Sequence, residues 1–141
     1  MIWRELERRI AVAKDRPVVI HGGGALTGAD LLDRVAAAAA ALPEPARPRP
    51  WRAVIRQRDP LDLLLQVLAC WRQGFSAAVL RDSMTDAQVA DIAAWLGPAA
   101  RLEGPPPPPS PANVAASPAP GSLGPRDEAL VICTSGTTGA P

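Results

Sequence analysis

Residues 129–141 read ALVICTSGTTGAP, and they predict a buried strand that runs directly into a loop rich in glycine and hydroxyl groups. Residues 129–133 form an apolar, β-branched run, which is typical of a strand covered on both faces. The eight residues after it are small, and their two glycines allow backbone N–H groups to converge on one anion. The serine and threonine hydroxyls add hydrogen-bond donors without bulk. The stretch therefore indicates a phosphate-binding loop at the end of a buried strand.

The loop does not follow the G-x-x-x-x-G-K-[ST] pattern of P-loop nucleotide-binding proteins. It closely resembles the [ST]-[ST]-G-[ST]-T-G-x-P-K signature of the adenylate-forming (AMP-binding) superfamily, which includes acyl-CoA synthetases, nonribosomal peptide adenylation domains and luciferases. Eight consecutive positions agree, and the lysine of the signature would follow Pro141. An ordinary polar loop after a strand is the alternative interpretation of the same residues.

The rest of the chain alternates predicted strands with predicted helices, a pattern typical of crossovers over a largely parallel sheet. A first helix is expected over residues 2–14, with Ile2, Leu6 and Ile10 on its apolar face. The expected later elements, each recognised from its apolar pattern, are a helix from Thr27 to about Leu42, a strand at 51–56, a helix at 60–73, a strand at 75–80, a helix that ends at Gly97 and a short strand at 99–102.

Local signals mark the ends of these helices. Asp59 and Pro60 predict a capped start with proline at the first helical position, and Gly74 predicts the following end. Thr27 with Asp30 predicts a capping box, in which each residue satisfies a backbone N–H near the other. Thr85 with Gln88 has the same spacing and predicts a second capping box.

The motif His21-Gly22-Gly23-Gly24 follows a short β-branched run and permits two interpretations. The glycines predict a hairpin turn. The same four residues also occur in the oxyanion hole of some lipases and esterases, which need a G-x-S-x-G nucleophile and a separate catalytic histidine. The sequence has no G-x-S-x-G, and His21 is the only histidine. We therefore expect a hairpin.

Composition excludes several classes of function. The net charge of +1 gives no electrostatic basis for binding nucleic acid or an anionic membrane. No apolar run is long enough to predict a membrane span, and residues 1–5 are charged and lack the apolar core of a secretory signal. Cys70 and Cys133 have no nearby cysteine or histidine, so both are expected to be core residues. A cytoplasmic location is the resulting expectation.

The resemblance covers roughly residues 18–102 and 128–141, and it implies the fold. We expect an α/β protein with a largely parallel sheet and flanking helices, corresponding to an incomplete N-terminal part of the large adenylation domain. Residues 1–102 are expected to form an N-terminal α/β subdomain, and residues 126–141 to form a strand and the start of the phosphate loop. Between them, residues 103–125 contain nine prolines and predict an extended, poorly ordered linker. A spacer is favoured there over a polyproline segment that binds a partner domain.

The resemblance also implies a function. Enzymes of this superfamily use ATP and Mg²⁺ to convert a carboxylic acid to an acyl-adenylate, and many then transfer the acyl group to a thiol such as CoA or a carrier protein. Carried over position by position, the residues expected to hold the β- and γ-phosphates are Thr134, Ser135, Gly136, Thr137, Thr138 and Gly139. No catalytic or metal-binding residue is assigned, because the family places those residues beyond Pro141. The 141 residues alone are expected to be inactive.

Two other interpretations compete with an N-terminal fragment of such a ligase. The first is a truncated, non-catalytic α/β remnant that acts as a binding or scaffold module, with the proline-rich segment as an interaction site. The second is a nucleotide-binding module unrelated to ligases, which would bind ATP by itself. A native polypeptide much heavier than 14.7 kDa would favour the ligase over the remnant.

Overall fold

The structure is a computed structural model, and it describes residues 2–44, 49–115 and 129–132. Its helices, in chain order, are α1 (Ile2–Val12), α2 (Gly28–Ala40), α3 (Pro60–Gln73), α4 (Asp86–Leu96) and α5 (Pro111–Ala115). Its strands are β1 (Pro17–His21), β2 (Gly24–Thr27), β3 (Arg52–Arg56), β4 (Ser76–Leu80), β5 (Ala100–Glu103) and β6 (Leu130–Ile132). The predicted α/β class with a parallel sheet and flanking helices is confirmed.

Four strands form one parallel sheet in the order β5-β3-β4-β6. Helix α3 connects β3 to its neighbour β4, whereas α4 connects β4 to β5 on the far side of β3. Strand β3 therefore has a partner along each edge. Strands β1 and β2 form a separate antiparallel hairpin, in which His21 pairs with Gly24.

Alternate residues of β3 point to opposite faces of the sheet, and helices cover both faces. On one face Ala53 and Ile55 pack with Cys70 of α3. On the other face Val54 packs with Val89 and Leu96 of α4. The three apolar residues of β3 are at most 2% exposed, which explains why its sequence is apolar at consecutive positions rather than alternating.

Helices α1 and α2 form an outer layer over α3. Trp3, Val35 and Leu65 belong to one buried cluster that joins these three helices. The predicted apolar face of α1 is wrong at its start, because Ile2 is 46% exposed whereas Trp3 is 3% exposed. The larger ring of Trp3 buries more apolar surface than Ile2 would, and this shifts the buried face by one residue.

The predicted helix ends are confirmed by their hydrogen bonds. Asp59 accepts hydrogen bonds from the backbone N–H groups of Leu61 and Asp62, and Gly74 closes α3 in the left-handed conformation at φ 80°. Thr27 with Asp30 and Thr85 with Gln88 both form complete capping boxes. These ends depend on residues at most three positions apart, so tertiary contacts were not needed to predict them.

Two predictions near the end of the sequence need correction. Residues 103–125 were expected to be extended, but Pro111–Ala115 form helix α5, and the Ser110 hydroxyl accepts a hydrogen bond from Asn113 N at 3.2 Å. The strand at 129–133 was expected to be covered on both faces. Leu130 is 43% exposed, because β6 lies at an edge of the sheet within the described residues.

Gly28 offers a test of how α2 packs against the turn that follows α1. A Cβ at Gly28 would lie 2.5 Å from the Ile10 carbonyl oxygen and 2.7 Å from the Ala13 carbonyl oxygen, and both are backbone atoms. We expect Gly28→Ala to lower the free energy of unfolding by about 1–3 kcal/mol, because backbone must move to relieve the overlap. Urea denaturation measures the change.

Gly22→Ala is the matched control for this substitution. A Cβ at Gly22 would meet no atom within 4 Å, so the same chemical change should leave the free energy of unfolding nearly unchanged. Equal midpoints for the two variants would contradict the described contact between α2 and the α1 turn.

Candidate functional site

The candidate site is the edge of the parallel sheet where its strands end. Because all four strands are parallel, the carboxyl ends of β3, β4, β5 and β6 lie along this one edge. In open α/β sheets, ligands bind in the crevice outside the carboxyl ends of the strands. Strand β6 is paired directly with β4, with Ile132 opposite Val79. The sequence after β6 therefore starts at the ligand-binding edge expected for such a sheet.

Arg56, the last residue of β3, ties this edge to the start of α4. Its Nη1 lies 2.6 Å from Asp86 Oδ1, and its Nη2 donates to the Met84 carbonyl at 2.8 Å. The hydrogen bond that Arg56 donates to the Asp86 carboxylate raises the pKa of the guanidinium above its ordinary value. The two hydrogen bonds hold the loop before α4 close to the sheet. The Arg56 side chain that makes them is 23% exposed.

The two residues after Arg56 make further contacts along the same edge. Gln57 Nε2 donates to the Gly104 carbonyl beyond β5, and Arg58 Nε lies 3.3 Å from Asp82 Oδ2 beyond β4. The loops that follow β3, β4 and β5 are therefore linked to one another by side chains. Arg56 and Arg58 are each paired with a carboxylate, so these contacts add little net charge at the edge.

The six predicted phosphate-binding residues lie outside the described residues, so their geometry stays a prediction. They are Thr134, Ser135, Gly136, Thr137, Thr138 and Gly139. The structure fixes the strand that precedes them. Trp71 Nε1 donates to the Ala129 carbonyl at 2.7 Å, which anchors the start of β6 to α3.

The esterase interpretation of the His21 motif finds no support in the structure. His21 Nδ1 accepts a hydrogen bond from the Gly23 backbone N–H at 3.2 Å, inside the hairpin turn that was predicted. Ser76, the serine in the nearest approach to a G-x-S-x-G sequence, is 1% exposed within β4. A serine buried at the start of an interior strand cannot serve as an exposed nucleophile.

Cys70 is a core residue, as predicted. It is fully buried, and burial raises the pKa of its thiol to about 12, so the thiolate that would react or bind a metal does not form near neutral pH. Cys133 lies outside the described residues. Within the ranges the structure describes, no three His, Cys, Asp or Glu side chains form a group that could hold a metal ion. No described helix is long and apolar enough to cross a membrane.

The sequence analysis missed two features of this region. Arg56 was treated as part of a strand, because its partners Met84 and Asp86 are about thirty residues away and no local pattern pairs them. Gln66 was not singled out, although it is a polar residue in a largely apolar helix. It is 6% exposed, and its Nε2 donates to the Gly104 carbonyl at 2.9 Å.

The fold is shared with several solved structures. VinN in complex with 3-methylaspartate aligns over 99% of this chain with a TM-score of 0.76 and 20% identity. O-succinylbenzoate Coenzyme A synthetase (MenE) from Bacillus subtilis, in complex with AMP, aligns over 97% with a TM-score of 0.70 and 18% identity. The N-terminal subdomain of Klebsiella oxytoca NpsA aligns over 69% with a TM-score of 0.55 and 18% identity.

These three matches establish a common fold. No protein-family model matches the chain, and no curated protein matches its sequence. The chain spans 45% of VinN, 39% of MenE and 25% of the NpsA chain, which is less than half of each.

Arg56 provides a test of how the carboxyl edge is held together. We expect Arg56→Met to speed hydrogen exchange at the amides of residues 86–89 by at least about threefold, because both hydrogen bonds to the start of α4 are lost. Asp86→Asn should have a smaller effect, since the Asp86 side chain is 95% exposed and exposed ion pairs contribute little. Exchange followed by mass spectrometry or NMR measures both variants.

Arg58→Met is the matched control. Arg58 contacts Asp82 and not the start of α4, so exchange at residues 86–89 should be unchanged. An effect as large as that of Arg56→Met would show that general loss of positive charge, rather than the contacts of Arg56, governs this helix end.

Proposed function

We propose that this chain is the N-terminal part of an ATP-dependent ligase of the adenylate-forming superfamily, which activates a carboxylic acid as its acyl-adenylate. One observation carries the proposal. A strand at the edge of a parallel sheet, β6, leads directly into an eight-residue sequence that matches the superfamily's phosphate-loop signature. The shared fold with MenE, a Coenzyme A synthetase solved in complex with AMP, supports it.

The proposed role of residues 134–139 is to hold the triphosphate of ATP. Gly136 and Gly139 have no side chain, so the backbone N–H groups of the loop can approach phosphate oxygens closely. The hydroxyls of the neighbouring serine and threonines add further donors. Their position after β6 would place the phosphates at the carboxyl edge of the sheet, where α/β proteins bind ligands. These donors would orient the phosphates and stabilise charge that develops as pyrophosphate leaves.

The chemistry of the loop fits a phosphate group, and ATP, when bound, would supply the adenylyl group that the carboxylate accepts. A structure of MenE with ATP and a magnesium ion also aligns with this chain, with a TM-score of 0.57. No described group of acidic side chains in this chain is suited to that metal. We therefore propose that Mg²⁺ is bound with ATP and not by the residues described here. A thiol acceptor, either CoA or a carrier protein, would take the acyl group next.

The 141-residue polypeptide by itself is expected to form no adenylate. A few charge-assisted hydrogen bonds contribute roughly 1.5–3 kcal/mol each. Association of two molecules costs an estimated ~4–15 kcal/mol before any surplus appears as affinity. A phosphate loop alone, without adenine and ribose contacts, would leave ATP binding at about millimolar affinity or weaker. The activity is therefore proposed for a longer polypeptide that includes this chain.

The test starts from the native polypeptide, isolated with an antibody against residues 1–102. We expect a mass several times 14.7 kDa and ATP–pyrophosphate exchange that depends on a carboxylic acid. Gly136→Ala in that polypeptide should slow exchange by at least about tenfold, because a Cβ in the loop displaces backbone donors from the phosphates. Exchange of labelled pyrophosphate into ATP measures the rate across a panel of acids.

Gly22→Ala in the same polypeptide is the matched control, since a Cβ there meets no atom within 4 Å. Exchange at the wild-type rate is expected. A native species of 14.7 kDa without exchange would overturn the ligase and favour a non-catalytic binding module. Tight ATP binding by residues 1–141 alone would instead favour a nucleotide-binding module of another class.

A further inference from the structure

The side chain of Trp71 joins the end of α3 to the start of β6. Its Nε1 donates to the Ala129 carbonyl at 2.7 Å, across 58 positions of sequence. The same carbonyl accepts the backbone N–H of Ala77 in β4 at 3.1 Å. Ala129 is therefore held from two directions, by the neighbouring strand of the sheet and by the helix that covers it.

Trp71 is suited to hold another segment because its own position is fixed. The ring is half-buried and packs against the apolar cluster of α1, α2 and α3, which includes Trp3. The next residue, Arg72, donates to Glu7 of α1 at 2.8 Å, and Gly74 ends α3 in the left-handed conformation. The indole N–H thus projects from a helix whose end is tied down, and groups on such elements are positioned precisely.

Strand β6 is short and lies at an edge of the sheet. It spans three residues, and within the described ranges it pairs with β4 alone. Val131 packs against the cluster beneath α4, but Leu130 is 43% exposed. Residues 104–129 separate β5 from β6, and a connection of this length does not by itself fix where the strand begins. The hydrogen bond from Trp71 is therefore a large part of what holds the start of β6.

We propose that Trp71 is a positioning residue for the phosphates of ATP and acts through β6. This inference rests on the proposed function, in which residues 134–139 hold those phosphates. Thr134 follows Ile132 by two residues, so its Cα lies at most about 7 Å from that of Ile132. A shift at the start of β6 is passed along this short strand to the loop. Groups misplaced by about 1 Å lose much of their effect on a bound substrate.

The first test uses the 141-residue chain and the substitution Trp71→Phe, which removes the indole N–H and keeps an aromatic ring. The Ala77 N–H faces β6, whereas the neighbouring Ser76 N–H donates to the Trp51 carbonyl, just before β3, at 2.7 Å. We expect hydrogen exchange at Ala77 to speed up about fivefold, the factor that corresponds to one net hydrogen bond. Exchange at Ser76 should stay unchanged. NMR measures both rates in one sample.

Two further variants separate the hydrogen bond from the ring. Replacement of Trp71 by β-(3-benzothienyl)alanine puts sulfur in place of the N–H and keeps the shape, so it should act as Trp71→Phe does. Trp95→Phe is the matched control, because Trp95 is 55% exposed on α4, and it should leave both exchange rates unchanged. The analogue keeps the measurement valid even where the smaller ring of phenylalanine packs poorly.

The second test measures ATP–pyrophosphate exchange in the longer native polypeptide. Trp71→Phe should raise the KM for ATP by at least about threefold, because misplaced donors in the loop weaken nucleotide binding. The KM for the carboxylic acid should stay the same, since the displaced donors are those proposed to hold the phosphates. A residue that only stabilises the fold would lower the amount of active enzyme and leave both KM values unchanged.

Three results would overturn this role of Trp71. Equal acceleration at Ala77 and Ser76 would show that Trp71 supports the whole fold rather than β6. Unchanged exchange at Ala77 would show that the hydrogen bond does not hold the strand. An unchanged KM for ATP in Trp71→Phe would show that the loop does not follow the strand. Absence of ATP–pyrophosphate exchange in the unmodified polypeptide would instead overturn the proposed function, and the two failures are distinguishable because exchange at Ala77 is measured without ATP.

Discussion

The burial of β3 on both faces is the constraint on which the rest of the structure depends. Ala53, Val54 and Ile55 are almost inaccessible to solvent, and each edge of β3 is hydrogen bonded to a parallel neighbour. A strand in this position requires helices above and below the sheet, and α3 and α4 supply them from the two crossovers that start beside it. Helices α1 and α2 then cover the outer side of α3, and α5 contacts α2.

The same arrangement determines where chemistry can occur. Parallel strands bring their carboxyl ends to one edge, and side chains that leave β3 there reach the loops after β4 and β5. These contacts cross between loops that are far apart in sequence. The loops after β3, β4 and β5 therefore form a connected rim along the carboxyl edge of the sheet. Hydrogen bonds to backbone carbonyls hold this rim together as much as ion pairs do. The strand that carries the proposed phosphate loop ends on this rim, next to β4.

Much of the fold could be predicted from the sequence because its signals are local. The caps at Asp59, Thr85 and Gly74 each involve residues only a few positions apart, and their hydrogen bonds exist as expected. The strand order could not be predicted in this way, because pairing of β5 with β3 and of β6 with β4 depends on contacts across some fifty residues. For the same reason β6 was expected to be covered on both faces, although Leu130 is exposed at the edge.

In the candidate site too, motifs made of neighbouring residues could be predicted from the sequence, whereas contacts between distant residues could not. A phosphate loop is a contiguous motif, so residues 134–139 could be proposed from the sequence alone. Arg56 and Gln66 acquire their partners only through folding, and neither stands out by its neighbours in sequence. Gln66 is especially hard to recognise, because a glutamine in a helix is usually a surface residue, whereas here the Gly104 backbone crosses over it.

The strand order also bears on how this chain acquires its structure as it is made. Strands β3, β4 and β5 are complete by residue 103, whereas β6 begins at residue 130. At a synthesis rate of roughly 5–20 residues per second, the edge of β4 stays open for about one to five seconds after its other neighbours are in place. An unpaired edge next to apolar residues is a site for mispairing between nascent chains. The order in which the strands are synthesised thus leaves β4 with an open edge, available to chaperones and neighbouring chains, until β6 has been made.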